Sequence, residues 1–157
     1  MPLSPPQLFA QSPEQTAALA GRLAGVLRAG DVLLLEGPVG AGKTHFARAL
    51  IQAWLGQPED VPSPSFTLVQ TYARGNQTLW HTDLYRLTSP QEIDELGLFD
   101  AFESAICLVE WPDRLGNEAP TRHLRITFAQ GVGDDLRDIT LNPVGDWAHI
   151  AALVQND

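Results

Sequence analysis

The chain has 157 residues, enough to bury the core of one domain, and we predict a single domain over 1–157 whose ends, 1–6 and 155–157, are disordered. Its net charge of −9 argues against independent binding of DNA or RNA, because affinity for phosphate backbones comes largely from Lys and Arg side chains. We expect a cytoplasmic protein, since no run of about 20 apolar residues could span a membrane, no secretory signal is recognisable, and the single cysteine, Cys107, allows no internal disulfide.

The first half of the chain predicts a helix, a strand and a second helix. The segment SPEQ (12–15) has the pattern of a capping box, and apolar residues then recur at helical spacing over 19–27. We expect Gly30 to end this helix. The apolar run DVLLLEG (31–37) is typical of a strand covered on both faces. A glycine-rich loop follows, and then a helix from about residue 44 to residue 55.

The second half of the chain contains further segments with the apolar or alternating pattern of strands. They are 66–73, 78–84, 105–111, 123–128 and 136–142. The first two flank the turn RGN (74–76) and predict a hairpin, and the last two are joined by the glycine-rich turn AQGVGDD (129–135). SPQE (89–92) predicts a second capped helix that Gly97 ends, and Asp146 is expected to cap a last short helix. These elements predict an α/β fold, a three-layer sandwich around a mixed, partly parallel sheet.

The loop between the first strand and the second helix carries a phosphate-binding motif. GPVGAGKT (37–44) matches G-x-x-x-x-G-K-[ST] at every fixed position, and its lysine is the only one in the chain. Backbone N–H groups of such a loop cradle phosphates, the lysine reaches the β- and γ-phosphates, and the threonine hydroxyl ligates Mg²⁺. The candidate nucleotide contacts are Gly37, Pro38, Val39, Gly40, Ala41, Gly42, Lys43, Thr44 and the adjoining His45. The motif therefore predicts binding of a nucleoside triphosphate with magnesium.

Two segments beyond the P-loop carry side chains suited to nucleotide chemistry. Ser63 and Ser65 lie on a proline-stiffened loop before a strand, where they either sense a γ-phosphate or only cap the backbone. Glu110 ends the apolar strand ICLVE, which places it at the crevice where ligands bind in such sheets. There it either holds Mg²⁺, directly or through water, or orients the attacking water. The neighbouring Trp111 either contacts the nucleotide or fills the core.

The strand-like segment HTDLYRL (81–87) carries a further acid. Alternation places His81, Asp83 and Tyr85 on one face and Arg86 on the other. Asp83 is our candidate for a second carboxylate on the Mg²⁺ side of the site. His81 lies too far along the strand to orient Asp83 except indirectly. Arg86 forms a surface salt bridge or meets a partner protein.

Together these motifs resemble those of the bacterial TsaE ATPases. That family has V-x-S-P-T-F-x-L-V, H-x-D-x-Y-R-L and E-W-[PA]-[ED]-[RK] after its P-loop. Here the corresponding segments are VPSPSFTLV (61–69), HTDLYRL (81–87) and EWPDR (110–114), and the resemblance runs from about residue 8 to residue 142. Ser65 stands where the family usually has threonine, and since both offer a hydroxyl we expect its role to survive.

The resemblance implies an ATPase that takes ATP and Mg²⁺, forms ADP and phosphate, and is weak without its partners. It implies work with the TsaD–TsaB pair in threonylcarbamoyladenosine modification of tRNA, with tRNA contacted only through those partners. The candidate catalytic residues are Lys43, Glu110, Asp83 and Ser65. Ser63 and Trp111 join the candidate nucleotide contacts, and the candidate metal ligands are Thr44, Glu110 and Asp83.

Two other functions are compatible with a P-loop. One is a small-molecule phosphotransferase, although no arginine-rich lid is evident between the P-loop and the second buried strand. The other is a nucleotide-switched interaction module with negligible turnover, against which Asp83 and Glu110 argue. No base-reading motif is present, so a preference for ATP follows only from the resemblance.

Overall fold

Strands in the described part of the chain form one mixed sheet. The computed structural model describes residues 7–38, 42–57, 60–62, 64, 68–130 and 137–150. The strands are β1 Gln7–Gln11, β2 Val32–Glu36, β3 Val69–Arg74, β4 Gln77–Asp83, β5 Ile106–Glu110, β6 His123–Gln130 and β7 Arg137–Val144. Their spatial order is β1-β7-β6-β2-β5-β4-β3. The central strands β6, β2, β5 and β4 are parallel, and the other pairings are antiparallel. This confirms the predicted α/β class with a partly parallel sheet.

Helices cover both faces of the sheet. They are α1 Pro13–Ala24, α2 Lys43–Leu55, α3 Pro90–Glu95 and α4 Leu98–Ser104, with a 3-10 segment at Pro112–Glu118. In β2, Leu33 and Leu35 pack with α1 and α2, whereas Val32 and Leu34 pack with α3 and α4. Because side chains alternate between the faces of a strand, this run of four buried apolar residues is explained by a core on each side. The three-layer sandwich is confirmed. None of the helices in the described residues is both long enough and apolar enough to cross a lipid bilayer.

The first helix begins as predicted and ends earlier than predicted. The Ser12 hydroxyl accepts a hydrogen bond from the Gln15 backbone, and the Gln15 side chain accepts one from the Ser12 backbone. The helix ends at Ala24, with Gly25 as its C-terminal cap, instead of continuing to Gly30. A turn closed by the Arg28 N–H on the Asp31 carboxylate then leads into β2.

The hairpin prediction is confirmed, and its second strand, Gln77–Asp83, lies one residue earlier than the predicted 78–84. Strands β3 and β4 pair from Val69 to Arg74 around a two-residue turn. The strand β4 ends at Asp83, because the Leu84 N–H bonds to the Glu110 carbonyl and the Tyr85 N–H bonds to the Asp83 carboxylate. The expectation that Tyr85 continues the same strand face is therefore wrong.

Three further elements differ from the expectations. The strand β1 was not predicted, because its strand conformation depends on antiparallel pairing with β7, far away in the chain. Helix α4 was also missed: Gly97 precedes α4 as well as following α3. The Ser89 hydroxyl does cap α3, but the Glu92 carboxylate accepts from Thr88 rather than from the Ser89 backbone. The cap predicted at Asp146 is confirmed within the described residues, because its carboxylate accepts from the Ala148 N–H.

Candidate functional site

A cleft of about 490 Å³ opens beside the P-loop. Its lining residues are Glu36, Gly37, Pro38, Lys43, Trp111, Pro112 and Asp113. The end of β2, the first residue of α2 and the segment after β5 therefore meet around one opening. This is the carboxyl end of parallel strands, where α/β sheets bind ligands.

The two described glycines of the motif are required by backbone geometry. Gly37 has a φ of +149°, and a Cβ atom at this position would lie 2.6 Å from the carbonyl oxygen of Phe128 in β6. Gly42 has a φ of +104° and directly precedes α2 without providing a side-chain cap. The first N–H groups of α2 are therefore left for another acceptor, and the helix dipole favours an anion there.

Lys43 is buried beside the cleft. It is 5% exposed, and its Nζ has no hydrogen-bond partner among the described residues. The ammonium lies 3.9 Å from the centroid of the Trp111 ring. Burial lowers the pKa of Lys43, against the opposing effect of the carboxylates of Glu110, Asp83 and Asp113. A buried ammonium that lacks a hydrogen-bond acceptor fits a ligand that brings anionic oxygens.

Two buried carboxylates lie at the ends of neighbouring parallel strands. Asp83 ends β4, Glu110 ends β5, and the two residues are paired in register. They are 7% and 3% exposed, respectively. One oxygen of Asp83 accepts from the Tyr85 backbone at 3.0 Å, and Oε2 of Glu110 lies 2.6 Å from Nε2 of His81. Both carboxylates raise the pKa of Lys43, against the effect of burial, so their charges lie within electrostatic range of its ammonium.

The donor set suits a magnesium ion held together with phosphates. Among the described residues, no group of three or more His, Cys, Asp or Glu side chains is placed to hold a metal ion. Mg²⁺ is commonly bound by one or two carboxylates together with phosphate oxygens and water, so such a cluster is not required. Thr44 in the first turn of α2, with Asp83 and Glu110, offers the oxygen ligands that Mg²⁺ prefers.

Trp111 lines the cleft and also packs on the core. Its backbone is in the left-handed region, with φ +60° and ψ +53°, which turns the chain sharply after β5. The partly buried ring contacts the apolar cluster under α3 and α4 and lies 4.9 Å from the ring of Tyr85. The guanidinium of Arg114 lies 5.9 Å from the centroid of the same Tyr85 ring. The two roles considered for Trp111 are therefore compatible with each other.

Comparison with known families identifies the group to which this fold and cleft belong. A family described as "Threonylcarbamoyl adenosine biosynthesis protein TsaE" matches residues 10–139. The chain belongs to the TsaE family. The P-loop and the three motifs that follow it all lie within the matched range.

Individual TsaE proteins and a solved structure support this membership. The chain is 40% identical to the TsaE protein of Bacillus subtilis over 136 residues, which cover 86% of this chain and 84% of that protein. It is 44% identical to the TsaE protein of Rickettsia felis over 106 residues, which cover 68% of this chain but less than two thirds, 62%, of that relative. A crystal structure of YdiB from Bacillus subtilis superposes with a TM-score of 0.79 at 32% identity and covers 99% of this chain and 97% of that one.

Among the candidate residues, Gly37, Pro38, Lys43 and Trp111 line the cleft, whereas Asp83 and Glu110 are buried and are not part of its lining. The carboxylates of Asp83 and Glu110 act electrostatically on Lys43, and the Lys43 ammonium lies over the ring of Trp111. His45 is exposed, and its Nε2 lies 3.1 Å from the carbonyl of Pro13 rather than on the cleft. The remaining candidates, Val39, Gly40, Ala41, Ser63 and Ser65, lie outside the described residues, as do the predicted disordered ends at 1–6 and 155–157.

Sequence reasoning missed three contributors to the site. Asp113 lines the cleft and acts on Lys43, and only its place in the EWPDR segment could have indicated this. Glu36 lines the cleft as the last residue before the P-loop and forms an ion pair with Arg125. His81 contacts Glu110 on the neighbouring strand, a contact that the sequence analysis did not predict. His81 and Glu110 are 29 positions apart in the chain, so the local spacing of residues gives no sign of their contact.

Proposed function

We propose that this TsaE-family protein binds and hydrolyses ATP with Mg²⁺, and that this activity serves threonylcarbamoyladenosine modification of tRNA. The observation that carries the proposal is the buried ammonium of the P-loop residue Lys43, which has no hydrogen-bond partner among the described residues and lies within electrostatic range of the carboxylates of Glu110 and Asp83. Family membership supports the biosynthetic role. The reaction forms ADP and phosphate, and the unaided rate is low.

The residues of the cleft divide the work of phosphoryl transfer. The loop from Gly37 to Thr44 holds the phosphates through backbone N–H groups, and Lys43 supplies a positive charge to the β- and γ-phosphates. Thr44 and one of the two acids would hold Mg²⁺, which would neutralise charge on the phosphates. The other acid orients the attacking water. We assign this second role to Glu110, because His81 already fixes one of its oxygens.

The protein's charge and sequence support the choice of nucleotide and partners. A net charge of −9 suits contact with tRNA through a TsaD–TsaB type complex rather than directly, and it disfavours DNA. ATP is the proposed nucleotide because it is the one that the resemblance to TsaE ATPases implies. We also propose a cytoplasmic location, in agreement with a single cysteine that is buried and unpaired.

Lys43→Ala tests the proposal, with Arg28→Ala as its matched control. Each variant removes one positive charge, but Arg28 is exposed and precedes β2, at the opposite end of the strand from the P-loop. Charge-assisted hydrogen bonds contribute about 1.5–3 kcal/mol, so Lys43→Ala should weaken Mg-ATP binding by roughly 10- to 150-fold. Calorimetry measures this, and phosphate release is followed with TsaD, TsaB and tRNA present.

The controls decide how the result is interpreted. Arg28→Ala should retain the parent's affinity and turnover. Parent-like binding and turnover by Lys43→Ala would remove the P-loop from the mechanism. A parent protein that released no phosphate from Mg-ATP in the presence of its partners and tRNA would refute the proposed activity.

A further inference from the structure

His81 is a buried polar residue in a position where the strand otherwise needs only an apolar side chain. On the same face of β4, two residues earlier, Leu79 is fully buried in the apolar cluster under α1 and α2. His81 is 1% exposed, and its Nδ1 is buried with no hydrogen-bond partner among the described residues. Burying an unpaired polar atom costs free energy, so a compensating interaction is needed at the other ring nitrogen.

That interaction is the contact with Glu110. Nε2 of His81 lies 2.6 Å from Oε2 of Glu110, and the two side chains are 1% and 4% exposed. In the parallel pairing His81 is level with Leu108, so its imidazole reaches diagonally across to the acid two residues further along β5. We assign the proton of this contact to the ring nitrogen, because an ionised carboxylate can only accept hydrogen bonds.

We propose that His81 is a positioning residue: its Nε2–H donates to Oε2 of Glu110 and fixes the orientation of that carboxylate before nucleotide binds. This rests on the proposed ATPase function. The hydrogen bond occupies one oxygen of a carboxylate whose charge also acts on Lys43. A glutamate side chain loses up to about 2 kcal/mol of rotamer freedom when it is fixed. The contact with His81 already restricts the Glu110 side chain in the folded, nucleotide-free protein, so the acid is oriented when the phosphates arrive.

Asp83 is held by a different kind of contact. It is the register partner of Glu110, yet one of its oxygens accepts from the backbone N–H of Tyr85, two residues along its own chain. Backbone geometry therefore orients Asp83, whereas Glu110 depends on a side chain from the neighbouring strand. A substitution at His81 should accordingly affect Glu110 without displacing Asp83.

The kinetic test uses two variants of His81 and one control. His81→Phe keeps a ring and removes the donor, whereas His81→Gln keeps an N–H donor near the position of Nε2. Thr82→Val removes a buried hydroxyl from the opposite face of the same strand, where it donates to the Leu108 carbonyl. With TsaD, TsaB and tRNA present, kcat of His81→Phe should fall by about 10- to 100-fold. Its Kd for Mg-ATP should stay near that of the parent.

The variants distinguish positioning from a merely structural role. His81→Gln should recover most of the lost kcat, and Thr82→Val should retain the parent value. Parent-like kcat in His81→Phe would overturn the proposal while leaving the ATPase function intact. An equal loss of kcat in Thr82→Val would also overturn it, because the effect would then follow from loosening the strand.

Nitrogen NMR of the histidine rings supplies a readout that needs no activity. The chain has four histidines, and the signal missing from the spectrum of His81→Gln identifies His81. In the nucleotide-free parent we expect a protonated Nε2, and the signal should move in Glu110→Gln. An unprotonated Nε2 would overturn the proposal even if the parent hydrolysed ATP. If the parent did not hydrolyse ATP, the proposed function would fail, and the same spectrum would still test the contact.

Discussion

Gly37→Ala should destabilise the fold more than Gly42→Ala, the same substitution at the other described glycine of the P-loop. The new Cβ would lie 2.6 Å from the carbonyl oxygen of Phe128, and 3.1 Å from the Phe128 Cβ. Both atoms belong to a central region of the sheet, because Phe128 lies in β6 and its ring packs edge-on against Phe46 of α2. The loop and the strand must therefore separate, since no flexible side chain can move aside.

The expected magnitude combines two costs. Overpacking of this kind costs about 1–3 kcal/mol, and a non-glycine residue in an unfavourable backbone region costs about 1–3 kcal/mol. Gly42→Ala is the matched control: it also has a positive φ, +104°, but its nearest atoms are side-chain carbons of Arg137 and Phe128 at 3.7 and 3.9 Å. Gly37→Ala should therefore unfold with about 1–3 kcal/mol less stability than Gly42→Ala.

Thermal unfolding without nucleotide, followed by circular dichroism, measures this difference. In a chain of this size 1 kcal/mol moves Tm by about 2–4 °C, so Gly37→Ala should melt about 2–12 °C below Gly42→Ala. Urea unfolding should give the same order of stabilities. Equal Tm values for the two variants would refute the steric explanation and leave backbone strain as the common cause.

Two other residues give further tests of the described structure. Asp31 is 1% exposed and accepts from Arg122 at 2.8 Å and from His149 at 2.7 Å, so Asp31→Ala should lower the free energy of unfolding by about 1.5–3 kcal/mol in urea. Asp94→Ala, on the exposed side of α3, should change the free energy of unfolding little. If Asp94→Ala and Asp31→Ala lost similar amounts of stability, a special role for Asp31 would be contradicted. Burial raises the pKa of the Cys107 thiol to about 12, so a thiol reagent at neutral pH should label it only after denaturation. Rapid labelling of the folded protein would show that β5 is accessible.

Local sequence patterns predicted the elements whose signals lie within a few residues. The capping box at Ser12 and the continuous apolar runs that became β2 and β5 were found because their hydrogen bonds or burial depend on near neighbours. The early end of α1 and the separate helix α4 were missed, since Gly25 and Gly97 could each serve as a helix end or an interruption. The edge strand β1 has no such local signal, because β7 provides its pairing partner.

By itself the sequence predicted a phosphate-binding loop, because the fixed spacing of its glycines, Lys43 and Thr44 is a local property of backbone and side chain. It also placed Glu110 at the end of a strand, whereas Asp83 was predicted within a strand that in the structure ends at this residue. Only the tertiary structure decided that these strands are neighbours in register and that His81 contacts Glu110. The physical reason is that strand order and cross-strand contacts depend on packing between segments far apart in the chain, which no local periodicity encodes.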